Sequence, residues 1–400
     1  MPFAIYVLGL AVFAQGTSEF MLSGLVQDIA ADLGVSIPAV GSLTSAFAVG
    51  MIVGAPLVAM LSLRWPRRRA LLAFLVTFLL AHVVGALTSS FEILFVTRVI
   101  AALANAGFLA VGLATAASMA GPQAKGRATS VLLSGVTLAC IAGVPLGAVL
   151  SEFWGWRSAF WGVAVISAPA VFAILRSVPA TPVDAGAPSV RHELRALRAP
   201  KLLLTLVLGA LVNGGTFCSF TYLTPVVTNV TGLSTGWVPA ALALFGIGSF
   251  VGVNLGGRLA DSRPGQVLAV GGVALLAGWL LFALTAGNPV VALVLVFVQG
   301  TLSFGVGSTL IAQALYTASD APTLSGGFAT AALNVGAAAG PALGGVAIGA
   351  DLGFRSPLVV SALLVATALV LAGVARAIGT AGGGVSKANR PVERPAEARS

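Results

Sequence analysis

The chain has 400 residues, of which 58% are hydrophobic and only 8% charged. A soluble domain carries about 25% charged residues, so a water-soluble globule of this size is excluded and most of the surface must face lipid. The formal charge of +9 would fit a nucleic-acid partner in a soluble protein, but here the cations sit in short loops and the tail, where they orient a chain against a membrane.

The apolar runs are helix-length rather than ~10-residue alternating segments, which argues against an outer-membrane barrel. Twelve of them are legible, at roughly 3–25, 39–62, 70–88, 91–116, 128–150, 157–176, 201–226, 237–258, 268–287, 290–314, 325–348 and 357–377. The expected fold is therefore an all-α polytopic membrane protein. The first run begins at Phe3 with no basic residue before it and lacks a small-residue cleavage pattern, so it reads as a span and not as a cleaved signal. Residues 177–200 are rich in Pro and charge and separate six spans from six, with a short amphipathic surface helix expected at 189–199. The expected division is a six-helix bundle at 1–176, a cytoplasmic linker at 177–200 and a second bundle at 201–378. A small, polar, Pro-bearing tail at 379–400 is expected to be disordered.

Loop charge sets the orientation. With the N-terminus in the cytoplasm, 18 of the 21 Lys and Arg residues fall inside, only Arg157 and Arg355 fall outside, and Arg98 lies within a span. The positive-inside rule then places both termini in the cytoplasm of a multi-pass inner-membrane protein. Cys140 and Cys218 lie in apolar stretches without metal-ligand spacing, and no nucleophile elbow or phosphate-binding loop appears, so neither an enzyme nor a cofactor is expected.

The halves resemble each other at an offset near 198 residues. Phe47, Gly50, Gly54 and Leu57 match Phe245, Gly248, Gly252 and Leu255; GVPLG (143–147) precedes GWRS (155–158), as GPALGG (340–345) precedes GFRS (353–356). A duplicated six-span unit with parallel halves is the plan of transporters whose substrate site lies near the midplane between them.

These features carry a resemblance to the major facilitator superfamily along the whole membrane-spanning length, and within it to the twelve-span drug:proton antiporters. Between spans 2 and 3 that superfamily reads G-x-L-a-D-R-x-G-R-K. Here Ala59–Arg68 keeps cations, Arg64 among them, but has Leu63 at the Asp position, whereas the second copy, Gly257–Gly265, keeps Asp261. The run Gly143-Val-Pro145-Leu-Gly147 is similar to the antiporter signature of span 5, with Val144 departing from it, and Gly340 and Pro341 form its second copy. The resemblance implies gating roles for Arg64, Gly143, Pro145, Gly147, Asp261, Gly340 and Pro341; packing alone is the other reading of the Gly and Pro positions. The run at 16–36 and the paired GVPLG and GWRSAFW resemble the bacterial branch of sugar-efflux-like proteins and actinobacterial chloramphenicol resistance efflux proteins, closest to the latter.

Charge within hydrocarbon is expensive, so ions inside spans are functional candidates by default. Glu19 and Arg98 are the two, and neither is repeated: Phe217 stands opposite Glu19. Glu19 reads as a proton carrier, or as a structural partner of Arg98; Arg98 reads as its modulator, or as a guanidinium held by carbonyls. Gln15 and Ser23 flank Glu19 at i−4 and i+4, and Asn105 shares the Arg98 face. Asn213, Phe217 and Thr221 share a face of span 7 near Tyr222, and with Gln299 they complete the expected substrate contacts. His82, in a span expected outside the central cavity, is expected to be peripheral. A single acid in an apolar cavity suits a neutral amphiphile exchanged for a proton. The expected partners are a small-molecule drug, protons and the lipid bilayer, with the protein a monomer. The expected function is proton-coupled efflux, most specifically of chloramphenicol, by alternating access. A sugar or metabolite exporter of the same fold, or a passive facilitator, are the alternatives.

Overall fold

The computed structural model describes residues 3–62, 65–119, 125–178, 199–317 and 325–387; within these, nothing is described of the side chains at 55–62, 114, 117, 125–130, 133, 257–262, 325–327 and 378–387. Among the described residues there is no strand, and twelve helices are long and apolar enough to cross a membrane. With no water in the bilayer core, each backbone donor and acceptor must be satisfied within its own segment, and the long apolar runs therefore fold as helices.

The first half comprises α1 (Phe3–Phe20), α2 (Leu22–Leu33), α3 (Ile37–Ser62), α4 (Arg67–Leu87), α5 (Phe91–Met119), α6 (Lys125–Leu138), α7 (Val144–Trp154) and α8 (Arg157–Ser177). The second comprises α9 (Pro200–Thr221), α10 (Val238–Ser262), α11 (Pro264–Thr285), α12 (Pro289–Thr317), α13 (Ser325–Gly349) and α14 (Ser356–Lys387).

Three spans depart from the straight helices expected. The first breaks at Met21, where the Gly24 N–H bonds the Met21 carbonyl at 3.0 Å in a tightened turn before the chain resumes as α2. The fifth carries a π turn over Ala139–Gly143 between α6 and α7, closed by the Val144 N–H on the Ala139 carbonyl. Pro145 has no N–H to give the Ile141 carbonyl, and the helix absorbs that gap as an extra residue in the preceding turn. The seventh ends as α9 at Thr221, whose carbonyl Pro225 cannot reach, and continues as a short turn and a π turn over Val226–Val230. α14 is described as far as Lys387, past the start of the tail expected from 379, and the rest of that tail lies outside the described residues. The linker helix expected at 189–199 lies almost wholly outside the described residues.

The sequence repeat reappears in backbone geometry. Among the described residues, four glycines have positive φ: Gly34 (65°) and Gly232 (76°), then Gly155 (76°) and Gly353 (75°), each pair 198 residues apart. Left-handed backbone costs an L side chain energy that glycine avoids. The same turn therefore ends the same element in both halves. Matched close contacts also recur. An added Cβ at Gly50 or Gly54 of α3 would come within 2.6 and 2.8 Å of Ala102 and Ala106 of α5, and Gly248 and Gly252 of α10 meet the backbone of Phe297 and Thr301 in α12. Lipid gives helices no hydrophobic reason to associate, so small residues that allow close backbone approach do that work.

The halves meet through an apolar cluster joining Phe20, Cys140, Val144 and Ala148 to Phe217, Phe220, Leu242 and Phe245. Gly246 of α10 lies directly on the π turn, where an added Cβ would be 2.9 Å from the Ile141 Cα. At the end of the bundle away from the chain termini, the Thr224 hydroxyl donates to the Ser23 carbonyl at 2.5 Å and the Gln27 amide to the Thr228 hydroxyl at 2.9 Å. That end is closed.

Candidate functional site

Glu19 sits in the last turn of α1, half-buried, while Ser18 and Phe20 on either side are buried. No hydrogen bond or ion pair to its carboxyl occurs among the described residues, although it lies within electrostatic reach of Arg98 and Cys140. An unpartnered acid that keeps an accessible face between two helical halves has room to exchange a proton or meet a ligand.

Arg98 of α5 is 1% exposed and does not pair with Glu19. Its Nη1 donates to the Ser18 hydroxyl at 2.8 Å, its Nη2 donates to the Ser18 carbonyl at 2.8 Å, and its guanidinium carbon lies 4.4 Å from the centre of the Phe47 ring. Arg98 therefore spends its hydrogen bonds on Ser18 while remaining within electrostatic reach of Glu19. A planar fork that meets a hydroxyl and a carbonyl at once is fixed in orientation as well as position.

His82 completes the group. Its Nδ1 is 2.7 Å from the Phe78 carbonyl and its Nε2 is 2.6 Å from the Ser18 hydroxyl, with 1% of the residue exposed. A carbonyl only accepts, so Nδ1 carries a proton, leaving Nε2 to accept from Ser18, which itself accepts from Arg98. Ser18 thus joins α1, α4 and α5 through one hydroxyl. His82 is central to this arrangement and not peripheral as its span suggested. Its i−4 bond to Phe78 leaves the ring aimed at α1, a direction that helix spacing alone does not give.

The remaining expected contacts separate into groups. Gln15, one turn before Glu19, is 1% exposed with neither amide atom partnered among the described residues. Thr221 is buried with its hydroxyl unpartnered in the same sense, and Asn105 is buried on α5. Phe217 packs 5.7 Å from Phe20, and the series continues through Phe220 (6.2 Å) to Phe245 (4.6 Å) and Phe304 (6.1 Å). Phe20, Phe220, Phe245 and Phe304 were not foreseen as a group, because their positions on four separate helices carry no common signal.

Four expected contacts lie elsewhere. Ser23 bonds the Phe20 carbonyl at 2.9 Å and accepts from Thr224, so it belongs to the closed end. Tyr222 is fully buried and donates to the Pro341 carbonyl at 2.9 Å, with its ring against Gly41 and Gly344. Gln299 donates to the Leu275 carbonyl at 3.2 Å and packs on Gly278, which turns it toward α11. Asn213 is spent on the Leu333 carbonyl at 2.7 Å.

Among the gating positions, Gly143 presses on Thr17, two residues before Glu19, where an added Cβ would be 3.0 Å from the Thr17 Cβ. Gly147 faces Met21 at the break of the first span, and Pro145 follows the π turn. Gly340 meets the Gly214 backbone, and Pro341 lies inside an unbroken α13. Arg64 and the Asp261 side chain lie outside the described residues. No cluster of His, Cys, Asp or Glu suited to a metal occurs among the described residues.

Comparison with known proteins gives a consistent picture. The Major Facilitator Superfamily profile matches residues 8–329. The chain is 57% identical over 375 residues to a chloramphenicol resistance protein of Streptomyces lividans, covering 93% of this chain and 96% of that one. It is 35% identical over 370 residues to the inner membrane transport protein YdhP of Escherichia coli, covering 92% and 95%. It is 32% identical over 351 residues to a chloramphenicol efflux pump of Mycobacterium tuberculosis, covering 85% and 84%. Among solved structures, a bacterial homolog of the human lysosomal transporter Spinster in an inward-facing, unoccupied conformation superposes with a TM-score of 0.74 at 16% identity, covering 92% and 95%.

Proposed function

This chain belongs to the major facilitator superfamily, and on that premise we propose that it exports chloramphenicol, or a neutral aromatic amphiphile of that class, in exchange for protons by alternating access. The observation that carries the proposal is Glu19, a half-buried carboxyl without a hydrogen bond among the described residues, next to the fixed Arg98–Ser18–His82 group. The names of the 57% and 32% identical relatives supply the substrate.

Both termini lie in the cytoplasm in this reading, as the loop cations require. The closed end made by Ser23, Thr224, Gln27 and Thr228 is then extracytoplasmic, and the chain is in a cytoplasm-facing state. Drug enters from the cytoplasm along the phenyl rings of Phe20, Phe217 and Phe220, while Glu19 releases its proton to that side. Closure at the termini end and opening at the other then presents the drug outside, where Glu19 reloads. The Arg98 cation is held off Glu19 by its two bonds to Ser18, so the carboxyl is not locked into an ion pair.

A single acid suffices for this cargo. One proton inward against one neutral molecule outward moves one charge down the potential, worth about 2.3 kcal/mol per 100 mV. That supports a concentration ratio of about fiftyfold per 100 mV. The test is chloramphenicol accumulation in cells expressing the chain, with and without a protonophore. Lower accumulation that the protonophore abolishes supports the proposal; unchanged accumulation on expression removes the substrate.

A further inference from the structure

A cavity of about 370 Å³ lies within the second half, away from Glu19, between α9, α11, α12 and α14. Its walls are apolar, with Leu208, Leu268, Val306, Leu310 and Leu369 prominent, and Arg376 is the sole polar side chain among the described residues of its lining. The volume is within the ~300–1,000 Å³ range of small-molecule sites. A cavity lined in this way does not hold ordered water, which needs two to four polar partners. Nor does it suit the transported drug proposed above, whose amide and hydroxyl groups would go unpartnered there.

The mouth is basic. Arg376 of α14 stands at one edge, exposed Lys201 comes three residues before the lining Leu204 on α9, and exposed Arg263 immediately precedes α11, two residues from the lining Gly265. All three cations are at the termini end of the bundle, where the helices leave the hydrocarbon. An apolar slot within the membrane, opening beneath cations at the interface, matches the two parts of a lipid. We propose that this cavity holds one acyl chain of an anionic phospholipid, with its phosphate seated on the cations at the mouth. The site is separate from the transport path. The orientation proposed above matters only in assigning the lipid to the cytoplasmic leaflet.

The experiment uses the full-length protein, purified in neutral detergent and offered equal amounts of phosphatidylglycerol and phosphatidylcholine with identical chains, with bound lipid read by native mass spectrometry. Phosphatidylglycerol is expected to be retained in preference, by about fivefold for each cation engaged. Ala372→Phe, which fills the slot, is expected to lose the retained lipid. The double variant Lys201→Gln with Arg263→Gln is expected to keep one bound lipid while losing most of the preference between headgroups. Equal retention of the two lipids by the unaltered protein would overturn the proposal, as would full retention in Ala372→Phe or displacement of the lipid by chloramphenicol. If Ala372→Phe does not fold, the double variant decides: an unchanged headgroup preference there refutes the site. Because no step reads transport, failure of the export proposal leaves this result standing.

Discussion

The ring of Tyr222, at the end of α9, lies on the bare α-carbon of Gly41 in α3, across the boundary between the halves. A Cβ at Gly41 would be 2.6 Å from the Tyr222 Cζ and 2.9 Å from Cε1. The hydroxyl is also committed, donating to the Pro341 carbonyl at 2.9 Å, so the ring cannot simply step aside. Tyr222 is therefore part of a seal and not a substrate contact.

Gly41→Ala should accordingly favour the state in which this end is open. Overpacking costs about 1–3 kcal/mol, which is a shift of about five- to 150-fold in the balance between states. Spin labels at the exposed positions Ala31 and Asn229, one on each half at this end, measure it directly. A longer distance population in Gly41→Ala is expected; an unchanged distribution contradicts the assignment of Tyr222 to the seal.

Ser18→Ala should destabilise the first half. It removes the acceptor for Arg98 Nη1 and the donor to His82 Nε2 while leaving the Nη2 bond to the carbonyl. Each buried polar group left unsatisfied costs about 1–3 kcal/mol. A lower melting temperature for purified Ser18→Ala, with most of it restored in Ser18→Thr, is the expected outcome. Equal melting of all three proteins contradicts a joint at this hydroxyl.

The Asp32–Arg157 pair gives a pH dependence of known sign. Arg157 Nη1 donates to the Asp32 carboxylate at 2.6 Å, and Trp156 Nε1 donates to it at 3.2 Å. The hydrogen bond from Arg157, then that from Trp156, holds the Asp32 carboxyl below its ordinary range. A depressed folded pKa means that the stabilisation is present at neutral pH and is lost as pH falls through the acid range. Both side chains are partly solvated, so the contribution is below about 1 kcal/mol. Asp32→Asn should melt slightly lower than the unaltered protein at pH 7, and the two should converge near the acid limit of folding. A gap that widens on acidification reverses the sign and refutes the assignment.

Gly246→Val should also drive the halves apart, at a second place. The Gly246 Cα lies on the π turn before Pro145, and a Cβ there would be 2.7 Å from the Cys140 carbonyl carbon. Backbone cannot yield as a side-chain tip can, so this variant should lose transport more completely than Gly41→Ala, measured as chloramphenicol accumulation at matched expression. Retained transport would show that this contact is not needed in the cycle.

Much of the fold was legible because membrane helices declare themselves by length and hydropathy, and because duplication leaves paired signals such as Gly50 with Gly248. The positive-φ pairs Gly34 with Gly232 and Gly155 with Gly353 follow the same offset. The break at Met21 was not legible, since no Gly or Pro marks that position. Helical spacing put Gln15, Glu19 and Ser23 on one face, but the break at Met21 separates Ser23 from the other two, and the three meet different surroundings. Gln15 is buried without a partner, Glu19 is half open, and Ser23 is locked into the seal. Gln299 failed for the same reason, its amide N–H being turned toward the Leu275 carbonyl of α11 rather than toward the centre. The role of Ser18 depends on three helices meeting, which no single segment encodes.

The central claim is that Glu19 carries the proton that drives the drug. Its most direct test is proton movement in liposomes containing purified protein, read by an internal pH dye when chloramphenicol is added on one side. The unaltered protein should show a drug-dependent proton flux and Glu19→Gln none, while Glu19→Asp retains part of it. A drug-dependent proton flux of undiminished size in Glu19→Gln would contradict the account.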